Sequence, residues 1–323
     1  MKSRFAAIAI GAVSVMALAG CSATAQGDGG GGGDAFAPQD VRMIVPFAAG
    51  GGSDVSGRAI ASGLEEATGS TVTVENREGG SGAVGYSHFL AQQGNGNYLL
   101  AAETALLALP LTTDVGFSYE SFTPIMKLGD DYTLVVAPGD SRFDTCTDVV
   151  DAAKSDGVVA AVSGTVSLDE VVFTLIEKDQ DITFDRVPFE GGSEVIAGLL
   201  GGTVEVGSLN PSEVLGQLES GDLKALCALS EERYEYAELA DIPTAKEQGI
   251  DVAFAQFRGF IAPGGISEEA KQFWIDAAKE FAESEAYTAY IEENLMQANA
   301  AYGDEFADYL AENSAALEAV VGK

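Results

Sequence analysis

Gly50, Gly51 and Gly52 run straight into Ser53 and Asp54, which sets three backbone N–H groups without side chains beside a hydroxyl and a carboxylate. Glycine lacks a Cβ, so its backbone takes positive φ and turns its N–H toward a ligand that a larger residue would hold off. With Ser53 or Asp54 as cap, the segment becomes the start of a helix, where unpaired N–H groups and the macrodipole favour an anion. A plain strand-to-helix connection has the same composition, so the turn gains meaning only from its surroundings.

Other candidates are weaker. A second glycine run holds a G-x-G-x-x-G from Gly80 to Gly85, with Glu103 downstream. It falls in the second strand–helix unit rather than the first, so close packing of loop and helix on a sheet accounts for it better than a dinucleotide does. Thr104 follows the core-type run 97–102 and puts a hydroxyl at the carboxyl end of a strand, where open α/β sheets bind ligands. His88 is the sole histidine, beside Phe89 and Leu90, and reads as a packing or surface residue. One imidazole builds neither a triad nor a metal site, and G-x-S-x-G, C-x-x-C and Cys/His clusters are all missing from the sequence. No catalytic residue, metal or cofactor is expected.

These residues need strands and helices to hold them. Val41, Met43, Ile44 and Val45 make a short apolar run suited to a strand buried on both faces, and Val55, Ile60 and Leu64 follow at helical spacing. Residues 71–75 alternate as a strand, and 134–137 make another. A helix over 147–154 leads to a strand over 157–162 and a second glycine-hydroxyl turn, Ser163, Gly164, Thr165, Val166 and Ser167, before a helix over 168–177. Strand 184–189, helix 194–200, helix 211–219 and strand 224–229 continue the alternation, and amphipathic helices over 268–284 and 304–320 close the chain with acidic outer faces. Alternating strands and helices predict an α/β protein.

The amino terminus reads as an export leader. Lys2 and Arg4 precede an apolar run over 5–19, too short for a stable membrane span, which ends in Leu18, Ala19, Gly20 and Cys21. That tetrapeptide resembles a bacterial lipobox, implying removal of residues 1–20 and acylation of Cys21. Residues 22–38 include GDGGGGGD and read as a flexible tether. With 17 Lys+Arg against 50 Asp+Glu, a net charge of −33, the surface repels nucleic acid and anionic lipid headgroups. Attachment to a membrane then falls to the lipid. Cys146 and Cys227 remain as an even pair in an oxidising compartment, open to a disulfide or to service as two small buried hydrophobes.

Four landmarks in order then resemble one family, the solute-binding components of tripartite tricarboxylate transporters, also called Bug proteins. A P-[FY]-x-x-G-G-x-x-D motif is met by Pro46, Phe47, Gly50, Gly51 and Asp54, with Ala49 inside it and Arg58 after it. An N-R-x-G-x-x-G-x-x-G stretch is met by Asn76, Arg77, Gly79, Gly82 and Gly85. A P-T-x-x-E-x-G signature is met by Pro243, Thr244, Glu247 and Gly249, and an aromatic strand ending in A-P by Phe254, Phe257, Gly259, Phe260, Ala262 and Pro263.

The resemblance implies a two-lobed, periplasmic-binding-protein-like (type II) fold, two α/β domains joined by two crossing strands around a cleft. Lobe 1 would comprise 39–137 plus 252–323, and lobe 2 138–251. It implies capture of a small organic carboxylate without chemistry, by Phe47, Ala49, Gly50, Gly51, Gly52, Ser53, Asp54 and Thr104 from one lobe and Ser163, Gly164, Thr165, Ser167, Phe189 and Asn210 from the other. The protein would be a monomer on the outer face of the cytoplasmic membrane, delivering its solute to a two-subunit permease. The turn at 163–167 departs from the family's pattern, being poorer in glycine and followed by Asp169 and Glu170 where a histidine is common. An acid there repels a second carboxylate, or favours a ligand with an amino or hydroxyl group. Two rival classes stay open, a secreted hydrolase using Ser53, Asp54 or His88, and a binding protein for sensing or for another transporter.

Overall fold

The computed structural model describes residues 36–162, 168–189 and 191–321. The expected leader, residues 21–35 of the expected tether with Cys21, and the turn with Ser163, Gly164, Thr165 and Ser167 lie outside the described residues, whereas the tether's expected end at 36–38 is held, Phe36 packing edge-on against Phe273 and Trp274. The chain begins with β1 (Val41–Val45), α1 (Gly52–Thr68), β2 (Val72–Asn76), α2 (Ala83–Leu90), β3 (Tyr98–Glu103) and α3 (Ala105–Thr112), then passes through β4 (Phe122–Asp131) into β5 (Leu134–Pro138). There follow α4 (Cys146–Ser155), β6 (Val159–Val162), α5 (Leu168–Gln180), β7 (Asp185–Pro188), α6 (Gly192–Leu200), β8 (Val206–Leu209), α7 (Pro211–Ser220) and β9 (Leu223–Ala228). Last come β10 (Gln256–Pro263), α8 (Glu268–Ala282), α9 (Glu285–Glu293), β11 (Gln297–Tyr302) and α10 (Gly303–Val321).

Two sheets result. The first has the order β11-β4-β10-β3-β1-β2, parallel from β2 through β1 to β3 and antiparallel beyond. The second has the order β7-β6-β8-β5-β9, parallel among β7, β6 and β8 and antiparallel around β5. The chain crosses between them twice, at Tyr132 and Thr133 after β4 and at Ala255 before β10. β5 pairs with β8 and β9, so it belongs to the second sheet, and residues 134–137, counted in the sequence with the first lobe, lie there.

β1 shows why its apolar run is unbroken. Val41, Met43 and Val45 face a core with Ile60, Leu64, Trp274 and Phe281 from α1 and α8, while Ile44 faces Tyr86, Phe89 and Leu106 from α2 and α3. Helices cover both faces, as a parallel sheet requires. Trp274 is fully buried and donates its indole N–H to the Gly96 carbonyl at 2.8 Å. α1 packs so closely on α8 that a Cβ on Gly63 would sit 2.0 Å from the Phe281 ring.

The glycines of the second run serve packing, as their position suggested. A Cβ on Gly85 would lie 2.5 Å from Pro46 Cα, which no side chain tolerates. α10 does more than wrap the first sheet: Phe306 and Leu310 pack with Phe257, Leu317 joins the same core, and Lys178 of α5 donates to the Ala319 carbonyl. Cys146 at the start of α4 and Cys227 of β9 are joined in a disulfide with Cα atoms 5.8 Å apart, both buried.

Candidate functional site

A cavity of about 770 Å³ opens between the two sheets. From the first come Phe47, the loop at Gly80 and Ser81, the end of β3 at Glu103 and Thr104, and the inner face of α3 through Ala105, Ala108, Leu109 and Thr112. From the second come Leu168 and Asp169 of α5, Gly192 of α6, Ser208 and Leu209 of β8, and Asn210 and Glu213 of α7. Thr133 and Gln256 flank the two crossings. The volume suits a small organic solute, and the mixture of apolar wall with a few hydroxyls and amides is that of a binding site.

Behind the cavity a polar chain joins the two sheets. Ser53 Oγ donates to Glu103 Oε2, which also accepts from Arg258 Nη1. Arg258 Nη2 reaches Asp131 Oδ2 at 3.5 Å, and Asn210 Nδ2 donates to Asp131 Oδ1 at 2.6 Å. With its amide turned so that oxygen faces the guanidinium, Gln256 accepts from Arg258 Nη2 at 2.6 Å. Glu103 and Asp131 together hold the Arg258 pKa above its usual value despite burial. Burial pushes the Asp131 carboxyl up to about 6 against the pull of Arg258 and Asn210. Thr133 and Ser208 share a buried hydroxyl–hydroxyl bond of 2.7 Å at the same level.

The glycine turn is built differently from the expected cradle. The N-cap of α1 is Gly51 and not Ser53 or Asp54, and no side chain caps it. Asp54 instead accepts from the Gly50 N–H, Arg58 Nε and Asn76 Nδ2, each at 2.9 Å, which lowers its pKa to about 2, the Arg58 bond contributing most. The Gly50 N–H is thereby engaged within the loop, and Gly50 alone of the three needs its glycine for positive φ, at +85°. Gly51 is extended and a Cβ there meets only Ala48 O at 3.6 Å, so Gly51→Val carries no clash within the loop. A Cβ on Gly52 would lie 2.9 Å from Arg258 Nη2. The turn therefore seats α1 over the Glu103–Arg258 pair.

Thr104 occupies a different position in this chemistry. It ends β3 and is the N-cap residue of α3, its carbonyl accepting from Leu107 and Ala108. Only 8% exposed, it has a hydroxyl without a hydrogen-bond partner among the described residues. A buried hydroxyl left unpaired costs about 1–3 kcal/mol. Beside it the N–H groups of Ala105 and Leu106 open α3, where no earlier carbonyl of the helix reaches them. Thr104 and Ala105 both line the cavity, so the start of α3 lies at its wall.

Of the residues marked in the sequence, Phe47, Thr104 and Asn210 line the cavity. Ala49, Gly50, Gly51 and Gly52 are exposed outside its lining, and Ser53 and Asp54 are buried behind it. Phe189 packs against Gly198 in the core of the second sheet. His88 stands on α2 against the Tyr98 ring, away from the lining. Glu103, Asp131, Arg258, Gln256, Ser208 and Glu213 were not singled out as site residues. One signal for Arg258 was available: a lone cation inside an otherwise apolar strand must have buried carboxylate partners.

Comparison with known proteins agrees with this architecture. A TctC solute-binding protein from Polaromonas superposes with a TM-score of 0.78 at 26% identity, covering 88% of this chain and 98% of that one. The periplasmic binding protein BugD superposes at 0.71 with 22% identity, over 88% and 98%. In sequence, BugT of Bordetella pertussis is 29% identical over 222 residues, 67% of this chain and 68% of its own. A UPF0065 protein from the gbd 5′ region of Cupriavidus necator is 25% identical over 293 residues, 90% and 89%. Residues 57–323 match the family described as tripartite tricarboxylate transporter family receptor, and the chain belongs to that family.

Proposed function

We propose that this chain is an exported, lipid-anchored receptor that captures a small organic carboxylate between its two sheets and passes it to a two-subunit membrane permease. The observation that carries the reading is Thr104: a cavity-lining residue at the N-cap of α3 whose buried hydroxyl has no hydrogen-bond partner among the described residues. A carboxylate there satisfies the hydroxyl and meets the positive end of the helix dipole. Uncharged donors suit a carrier, because release leaves no bare buried cation behind. Gln256, Thr133 and Asn210 complete a set of polar groups without formal charge. Among the described lining residues no nucleophile stands bonded to a base, and Ser53, behind the wall, donates to a carboxylate already held by Arg258. We therefore read the protein as a binder and not an enzyme.

Anchoring rests on Cys21 and its lipobox, and lobe limits drawn through the two crossings would give a hinge at 132–133 and 255. Two Rhodopseudomonas palustris proteins of this fold, solved with malate and with adipate, supply the probes. The test is a thermal-shift screen over mono-, di- and tricarboxylates and amino acids. A solute at about 100 times its Kd stabilises the native state by about 2.7 kcal/mol. Thr104→Val keeps the side chain's shape and removes the unpaired hydroxyl, so it should lose at least tenfold in affinity while the ligand-free melting temperature rises. If no carboxylate of any class raises the melting temperature, the reading fails.

A further inference from the structure

Sheet order divides the molecule about its two crossings. In the first sheet the cavity-lining groups stand at the carboxyl ends of β1, β2 and β3, the chain leaves and returns through β4 and β10, and β11 forms the edge beyond. In the second sheet the lining groups end or follow β6, β7 and β8, the chain enters on β5, and β9 forms the far edge. The β11 and β9 edges therefore lie across the crossings from the cavity. There the two halves of the molecule touch again.

The turn from α9 into β11 makes that contact. Leu295 N–H donates to the Glu292 carbonyl at 3.1 Å and Met296 N–H to the Ile291 carbonyl at 3.0 Å, the bond pattern of a Schellman helix end. Its left-handed position is usually glycine; here it is Leu295, at φ +52°, where a Cβ is unfavourable. Ile291 and Met296 stay in the first sheet's core, whereas the Leu295 side chain packs on the second sheet's core with Tyr132, Tyr234 and Ala255 in the same cluster. Tyr236, from the loop after β9, donates its hydroxyl to the Met296 carbonyl at 2.7 Å, with the Ile291 carbonyl 3.3 Å away. Gln297 Nε2 reaches the Glu232 carbonyl at 3.4 Å, and Tyr234 donates to the carbonyl of the crossing residue Tyr132 at 3.1 Å. Leu295, Tyr234 and Tyr236 are all absent from the described cavity lining. An unfavourable backbone persists where its surroundings hold it, and what holds Leu295 is the other half of the molecule.

We infer that Leu295 and Tyr236 form a brake on closure, a contact behind the crossings that favours the wider cavity and sets solute affinity without touching the solute. Two bodies that turn about the crossings cannot narrow the cavity without drawing the β11 and β9 edges apart. Closure therefore breaks the Tyr236 bond and lifts Leu295 from the second core. The closed, binding-competent form is populated less by that amount, and the apparent affinity falls by the same fraction. Both are positioning residues. The inference rests on the hinge placed at the crossings and not on which solute is bound.

The test needs no solute. On the full-length exported protein in detergent, ketone-bearing residues carrying spin labels replace Val84 and Ser193, exposed neighbours of the cavity-lining Ala83 and Gly192, which leaves every cysteine untouched. Pulsed dipolar spectroscopy then reads the distance across the cavity. Leu295→Gly removes the side chain and suits the positive φ, and Tyr236→Phe removes the hydrogen bond but keeps the ring. Either should raise the ratio of short to long distances at least threefold, a change that loss of a merely structural helix end would not produce. Leu295→Met, which keeps an apolar chain on the second core, should match the wild type. Unchanged distributions in both Leu295→Gly and Tyr236→Phe overturn the inference, as do longer distances in either, or a Leu295→Met variant that shifts as far as Leu295→Gly. A carboxylate screen without a hit leaves these distances as they are, so failure here and failure of the carboxylate reading are separate results.

Discussion

Asp131 carries two assignments at once. It ends β4, the last residue of the first sheet before the chain crosses, and it holds Asn210 of the second sheet and Arg258 of the first. Its carboxyl is pushed up to about 6 by burial, above the 3.8 of a solvated aspartate. The folded form binds the proton more tightly than the unfolded one, so stability falls as pH rises from about 4 to about 6 and is flat beyond. Asp131→Asn keeps a partner for Asn210 and removes the titration. Thermal melts of both forms between pH 4 and 8 should show that downward step in the wild type and not in the variant; parallel curves would discard the assignment. Such partners were hard to read from sequence. Ser53 and Thr104 stood out as hydroxyls at element ends, but the groups that decide what they do lie 50 residues from Ser53 at Glu103 and 155 from Glu103 at Arg258. Local pattern does not encode pairings of that span, and Asp54, which looks like a helix cap, is drawn instead to Arg58, Asn76 and the Gly50 N–H.

Elements with strong periodicity were legible. β1 and β3 are apolar because both faces are covered, and α8 shows an apolar stripe ending on Trp274 and Phe281. β11 was not legible, because its residues QANAAY show no alternation of apolar and polar side chains and only Ala301 is buried, and it forms by pairing with β4. α9 was missed for a related reason: its buried face consists of Tyr287, Tyr290 and Ile291 within an acidic run. β5 shows that an apolar run announces a strand without announcing its sheet. The disulfide belongs to this scale. It ties α4 to β9 across a sequence separation of 81 residues, and a loop of that size removes enough chain entropy from the unfolded state for about 4 kcal/mol. Replacing both Cys146 and Cys227 with serine, or adding reductant during denaturation, should lower the melting temperature by many degrees; an unchanged midpoint would mean that the bond contributes nothing to stability.

At the scale of the whole molecule, the charge of −33 sets the conditions under which everything else operates. Self-repulsion works against the compact state, and salt relieves it by shortening the Debye length from about 30 Å at 0.01 M to about 3 Å at 1 M. The melting temperature should therefore climb with sodium chloride across that range, and a fall would show that surface ion pairs outweigh the repulsion. The same field repels anionic solutes at a distance, so an anion's association rate should rise with salt as well. α10 reaches from Phe257 of the first sheet to Lys178 of α5, so any opening between the two sheets has to carry that helix along or break one of its contacts. Trp274 bears on how such motion is to be observed. It is the chain's only tryptophan, carried on α8 and buried against Gly96, and it is absent from the cavity lining. Its emission should thus stay blue and unmoved through any ligand titration and shift red when the first sheet's core melts. Intrinsic fluorescence is blind to solute capture here, and a reporter for closure has to be placed on the second sheet's wall.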